Sequence, residues 1–243
     1  GRNTGMNLEA IIAAKPDLLI DLGEAMPNIA SDMDGLSAQI GIPVVFIEAT
    51  LETMSGAYRA LGELLDEEAA AGELAAYVDE TFADAAARRA RIPPEKRLSV
   101  YLGEGKGGLQ TNARGSIHAD VIEYAGGINA ADFGTEPVGG MAPVSLEQVV
   151  LWNPDVIILG GGIDAAGVAR DAGWQPVSAV RSGRVYDVPQ QPWSWVGRPP
   201  SVNRLIGIKW LGNLLYPDIF DYDITAETRR FYRLFYHAEL TYF

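Results

Sequence analysis

The string Gly103-Glu-Gly-Lys-Gly-Gly108 is the sharpest local motif in the chain, and its spacing satisfies Gly-x-Gly-x-x-Gly. In a dinucleotide site such glycines let the backbone approach a pyrophosphate that also meets a helix N-terminus. Gly103, Gly105 and Gly108 would then serve a nucleotide-binding α/β enzyme. Here Leu109-Gln-Thr-Asn-Ala-Arg-Gly115 intervenes before Ser116, the next residue suited to cap a helix. That polar spacer removes the helix dipole from the glycines, and no Lys-Ser or Lys-Thr pair follows to make a P-loop. A flexible loop at the edge of a cleft is the plainer reading.

A second constellation is Gln190-Gln-Pro-Trp-Ser-Trp-Val-Gly-Arg-Pro-Pro-Ser-Val-Asn-Arg204. It follows a strand-like segment, so it belongs at the carboxyl end of a parallel sheet, where open α/β folds place ligands. Trp193 and Trp195 offer flat apolar surface, and Arg198 offers a rigid cationic fork. The prolines stiffen the loop and lower the entropic cost of ordering it on binding. Trp193 and Trp195 could equally be edge residues covering the core. Arg198, between Gly197 and Pro199, has little structural work in prospect.

Other chemistry is thin. The chain of 243 residues has no cysteine, so disulfides, thiol catalysis and thiolate metal sites are excluded. Two histidines cannot make an all-histidine zinc cage; His118 reads as a capping or surface residue and His237 as a packing residue in an aromatic helix. No Gly-x-Ser-x-Gly elbow occurs. Lys plus Arg is 19 against 32 for Asp plus Glu, a formal charge of −13, which disfavours nucleic acid and anionic membrane surfaces as partners. No catalytic constellation emerges, and no cofactor is implied.

The elements that position these residues alternate. Asn7 can cap a helix over Leu8–Ala14, ended by Pro16; Leu18–Leu22 is a strand, Ile29–Ile40 a helix stopped by Gly41, Val44–Ile47 a strand, and Leu51–Leu65 a helix capped by Thr50. From Glu67 to Arg91 one long helix is expected, with Leu74, Val78, Phe82 and Ala85 as its apolar stripe and arginines at its end. At 1.5 Å per residue it spans about 37 Å, a strut between two lobes. The α/β pattern then restarts with a strand over Leu98–Leu102, a helix near Ser116, a helix over Ser145–Leu151, strands at Val156–Leu159 and Val185–Val188, and helices over Val202–Leu215 and Ala226–Tyr236. The expected fold is therefore α/β: two parallel-sheet lobes, residues 1–66 and 93–243, joined by one long α-helix over 67–92. An internal repeat supports this: Asn7-Leu-Glu-Ala-Ile-Ile-Ala-Ala-Lys-Pro-Asp-Leu-Leu-Ile20 aligns without gaps with Ser145-Leu-Glu-Gln-Val-Val-Leu-Trp-Asn-Pro-Asp-Val-Ile-Ile158.

The stretch from Gly5 to Ile20, together with Ser145–Ile158, Tyr124-Ala-Gly-Gly-Ile-Asn129 and Arg184-Val-Tyr-Asp-Val-Pro189, resembles the periplasmic binding proteins of iron-chelate and cobalamin ABC importers. The resemblance covers nearly the whole chain. It implies a ligand cleft between the lobes, a non-enzymatic role, a membrane permease as partner, an extracytoplasmic location and a monomer. It also implies that Glu9 and Glu147 dock to arginines of the permease, although first-turn acids are favoured by the helix dipole in any case. Loops after strands supply the pocket in the family, so Tyr101, Thr111, Arg114, Met141, Trp193, Trp195 and Arg198 are the ligand-binding candidates. The family pattern has one further strand–loop–helix unit ahead of Gly5, whose loop would line the pocket. The expected ligand is a ferric siderophore, with haem or cobalamin as variants. Pro199-Pro-Ser-Val-Asn-Arg-Leu-Ile-Gly-Ile-Lys-Trp210, Leu215-Tyr-Pro-Asp218 and Phe231-Tyr-Arg-Leu-Phe-Tyr236 resemble a branch with molybdate and tungstate binders, which makes a bare oxyanion the alternative, held by Arg114 and Arg198.

Overall fold

The computed structural model describes residues 6–134 and 140–240; Gly5 of the motif above lies outside the described residues. The chain divides into two units, Gly1–Asp79 and Glu80–Phe243, and the division falls inside a single helix.

The first unit contains α1 (Leu8–Ala14), β1 (Leu19–Gly23), α2 (Ile29–Ile40), β2 (Val44–Glu48) and α3 (Met54–Leu65). It also holds the start of α4 (Glu68–Arg89). β1 and β2 pair in parallel from Leu19↔Val44 to Gly23↔Glu48. α2 buries Met33, Leu36 and Ile40, steps of three and four that define one face, and Gly41 ends it in the left-handed region at φ 69°. The expected helix from Leu51 begins three residues later. Thr50 and Thr53 explain this, because each backbone N–H donates to the other's hydroxyl, at 2.9 and 3.2 Å, which ties Thr50–Thr53 into a turn. In α4 the buried positions are Ala71, Ala75, Tyr77, Val78, Thr81 and Ala85, with Leu74 and Phe82 only partly covered, so the stripe keeps Val78 and Ala85 of the expected set and adds Tyr77.

The second unit carries β3 (Ser99–Gly103), β4 (Gln110–Asn112), α5 (Asp120–Tyr124), β5 (Ile128–Asn129) and β6 (Met141–Pro143). It continues with α6 (Leu146–Trp152), β7 (Val156–Leu159), α7 (Ala165–Arg170), α8 (Ser178–Arg181), β8 (Val185–Asp187), α9 (Asn203–Leu215) and α10 (Ile224–Tyr236). The main sheet is parallel with order β5-β3-β7-β8. All of β7 is buried, as a continuous apolar run in a parallel sheet should be. Tyr101, Ile157, Leu159, Val168, Trp174 and Val177 form the core on one side of it. α9 is buried nearly all round. Its two charges are accordingly paired: Arg204 Nη1 reaches Asp120 at 3.2 Å and the Ile117 carbonyl at 2.7 Å, and Lys209 Nζ reaches Glu227 at 2.6 Å.

The structure adds to and shifts the expected elements: β5, α7 and α8 are further short elements. β4 and β6 pair antiparallel as a small ribbon, and the helix expected at Ser116 starts at Asp120 after a turn. His237 is an exposed left-handed C-cap of α10 at φ 50°, not a packing residue.

Candidate functional site

The order β5-β3-β7-β8 reverses beside β3: the chain proceeds from β3 to β5 on one flank, then returns to build β7 and β8 on the other. Such a switch point opens a crevice outside the carboxyl ends of the strands. Glu104 stands there directly after β3 and Gly160 directly after β7, and the loop from Pro189 to Val202 follows β8.

A polar cluster fills this place. Glu104 is only 7% exposed, and its Oε2 accepts from Asn112 Nδ2 at 2.5 Å. Asn112, fully buried on β4, accepts at Oδ1 from Arg198 Nη2 at 3.0 Å. Arg198 Nε lies 4.0 Å from the same Glu104 oxygen, and the arginine side chain keeps about a third of its surface, 35%, exposed. The amide of Asn112 thus joins an acid to a guanidinium and fixes both. Two glycines leave room for the acid: a Cβ on Gly197 would stand 2.8 Å from Glu104 Oε1, and one on Gly160 would stand 3.4 Å from Glu104 Cγ. Burial pushes the Glu104 carboxyl above its ordinary value, against the pull of Asn112 and Arg198. His118, in the turn before α5, is pushed down to about 4 by burial and by the charges of Arg198 and Arg204, so its imidazole is neutral at physiological pH. Arg198 Nε and His118 Nδ1 are buried with no hydrogen-bond partner among the described residues.

The predicted residues divide sharply. Arg198 is at the centre of the cluster. Met141 stands opposite Asn112 across the β4–β6 ribbon and is 38% exposed, so it borders the cluster. Trp193 is exposed on the same loop as Arg198. Arg114 is half exposed but engaged, donating to Asp132 at 3.0 Å and to the Asn129 carbonyl at 3.0 Å. Three of the candidates are buried with their polar atoms engaged within the fold. Tyr101 is fully buried with its hydroxyl donating to the Gly108 carbonyl at 2.7 Å; Thr111 is fully buried with its hydroxyl donating to the Leu102 carbonyl at 2.7 Å. Trp195 is 1% exposed and donates from Nε1 to the Gln191 carbonyl at 3.0 Å. These three hold the loops rather than face solvent.

The glycines lack the helix that the nucleotide reading requires. After Gly103 the chain makes a short turn over Lys106–Gly108 and enters β4, with no α-helix at the glycines. Gly105, Gly107 and Gly108 adopt φ of 64°, 66° and 75°, a left-handed path that L side chains resist, so the glycines are required by the turn itself. Glu104 and Asn112 join the cluster without being among the candidates from the sequence, and His118 joins it rather than serving as a cap. A charged residue between two glycines at the end of a buried strand was the available signal for Glu104. Asn112 had none, because β4 is three residues long. Among the described residues, no group of three or more His, Asp or Glu could hold a metal ion.

Glu9 and Glu147 are both exposed and occupy the second position of matching helices. Asn7 Oδ1 accepts from Ala10 N at 3.0 Å and Ser145 Oγ from Gln148 N at 3.2 Å. Backbone and Ser145 hydrogen bonds hold the Glu147 carboxyl below its ordinary value.

Residues 1–192 match the family model described as periplasmic binding protein. The molybdate-binding protein MolA of Haemophilus influenzae is 27% identical over 98% of this chain and 72% of its own length. Its molybdate-bound structure superposes with a TM-score of 0.74, covering 97% of this chain and 77% of that one. The vitamin B12-binding protein of Pectobacterium atrosepticum is 30% identical over 72% of this chain and 62% of its own length. A structure of an ABC transporter solute-binding protein from Sulfurospirillum deleyianum matches with a TM-score of 0.87 at 34% identity, covering 97% of this chain and 72% of that one. With the repeat, the parallel sheet and the family model in agreement, this chain belongs to the periplasmic binding protein family, the solute-binding components of ABC importers.

Proposed function

We propose that the ligand is a small anion held through Arg198, an oxyanion of the molybdate class first and an anionic metal chelate such as a ferric siderophore second. The observation that carries the order is the burial of Trp195. A chelate platform built on two indoles is left with Trp193 alone, whereas the guanidinium is positioned on two sides by Asn112 and Glu104. A fixed guanidinium suits a compact anion through charge-assisted hydrogen bonds. The likeness to MolA supports the first ligand class, and the likeness to the vitamin B12-binding protein supports the second. The protein acts outside the cytoplasm and hands its ligand to a permease through Glu9 and Glu147, a reading supported by their equal placement on the repeat.

A thermal-shift panel of molybdate, tungstate, ferric citrate, ferric siderophores, haem and cobalamin tests the assignment. Ligand at 100 times Kd adds about 2.7 kcal/mol. For a chain of this size that raises Tm by roughly 5–10 °C. Arg198→Ala is expected to weaken binding by about tenfold to a hundredfold. Unchanged affinity would remove Arg198 from the site. Shifts with ferric chelates but not with oxyanions would reverse the order. Glu9→Ala combined with Glu147→Ala is expected to leave affinity unchanged and to reduce uptake in a transport assay; full uptake would end the docking reading.

A further inference from the structure

One oxygen of Glu104 is free to meet a ligand. Oε2 takes the Asn112 amide and faces Arg198, whereas no donor among the described residues reaches Oε1, which keeps its contact with solvent. The side chain as a whole is 91% buried beside the Arg198 guanidinium. An ionised Glu104 opposes an anion arriving at Arg198, because two negative charges would then share one low-dielectric crevice. A proton between them removes that conflict.

Resting on the reading of Arg198 as an anion site, we propose that Glu104 and the ligand share one proton: the ligand offers an acceptor oxygen to Arg198 and meets Glu104 through an O–H. For a ligand that already carries a hydroxyl, the proton is its own. For a bare oxyanion it is taken up on binding and sits on Glu104. Glu104 is then the residue that sets selectivity by the ligand's protonation state.

The surroundings leave Glu104 as the group that can take up this proton. Arg198, on the loop after β8, is a guanidinium, which has donors only and no acceptor for a proton. His118, before α5, titrates near 4 and stays neutral. Tyr101, on β3, is pushed up by burial and by the Glu104 charge and keeps its proton. Asn112 on β4 does not titrate. Burial already raises the Glu104 carboxyl, and a bound anion raises it further.

Isothermal titration of molybdate in buffers of different ionisation enthalpy reads the proton directly. At neutral pH molybdate has only bare oxygens, whereas hydrogen arsenate carries an O–H. The wild type is expected to take up about one proton with molybdate and none with hydrogen arsenate, and molybdate affinity should fall about tenfold per pH unit above neutrality. Glu104→Gln should abolish the uptake and flatten the pH dependence, while shifting preference from hydrogen arsenate toward molybdate by about tenfold. Circular dichroism of the variant establishes that it folds. No proton uptake by the wild type, or the same uptake in Glu104→Gln, overturns the inference while leaving the site intact if Arg198→Ala still weakens binding. Binding of either probe unaffected by Arg198→Ala, or no binding of either probe to the wild type, removes the anion site and the inference with it.

Discussion

The helix–turn–strand units Asn7–Ile20 and Ser145–Ile158 follow one local code and have unequal burial. Each opens with a polar side chain accepting from the backbone three residues on, runs a seven-residue helix, and turns through a left-handed residue into Pro-Asp and a parallel strand. Yet α1 has no buried residue and β1 is half covered, whereas Val149 and all of β7 are buried. The second copy is also tied laterally: Asp155 Oδ2 accepts from Ser99 N and Oγ, both at 2.8 Å. The lesson is a separation of causes. Caps and turns are set by side chains acting on their own backbone, and burial is set by what packs alongside.

The largest expected effect tests the burial half of that separation. Ile158→Ala in β7 removes a fully buried side chain from a packed sheet and should cost about 3–4 kcal/mol. The matching Ile20→Ala in β1 removes a half-covered one and should cost about 1 kcal/mol. Urea unfolding of both variants measures the gap. Equal costs would mean that β1 contributes as β7 does, and that exposure misreports its packing.

The same separation explains what could be read from the sequence. Ile29–Ile40 and Val156–Leu159 were legible to the residue, because a 3.6 period ended by Gly41 and a continuous apolar run leave no alternative. Asn7 and Ser145 announced their helices for the same local reason. The β4–β6 ribbon was not legible: each strand is three residues long, too short for alternation to show, and its register is set by contact between distant segments. Arg198 could be found because its glycine and proline neighbours are local. Glu104, Asn112 and His118 could not be grouped, since only the switch point between β3 and β7 brings them to one place. The same tertiary placement buried Trp195 and left Trp193 outside, though the two are alike in sequence context.

The caps test the local half. Asn7→Ala and Ser145→Ala each remove one side-chain acceptor from a first-turn N–H and should each cost about 1 kcal/mol, whatever the burial beneath. Thermal unfolding of the two variants is sufficient. A Ser145→Ala cost several times that of Asn7→Ala would show that capping is amplified by the buried strand behind it, and the two causes would no longer be separable.

The smallest effect is the most discriminating, because it predicts opposite signs at matched positions. Both helices end on a non-glycine residue in the left-handed region, Lys15 at φ 50° and Asn153 at φ 43°. A lysine there pays for its Cβ with little in return, so Lys15→Gly should stabilise by about 0.5 kcal/mol after the extra freedom of glycine in the unfolded chain is counted. Asparagine tolerates this region better, and Asn153 Oδ1 also accepts from Ser178 N at 2.9 Å, a contact that reaches α8. Asn153→Gly relieves little strain and leaves that N–H without its partner, so it should destabilise by about 1 kcal/mol. Two substitutions at one place in one repeated unit then differ in sign, because the first copy ends in a purely local turn and the second has made its turn residue a tertiary contact. If both glycines stabilised, the Asn153–Ser178 bond would be worth nothing and the second copy would be as local as the first.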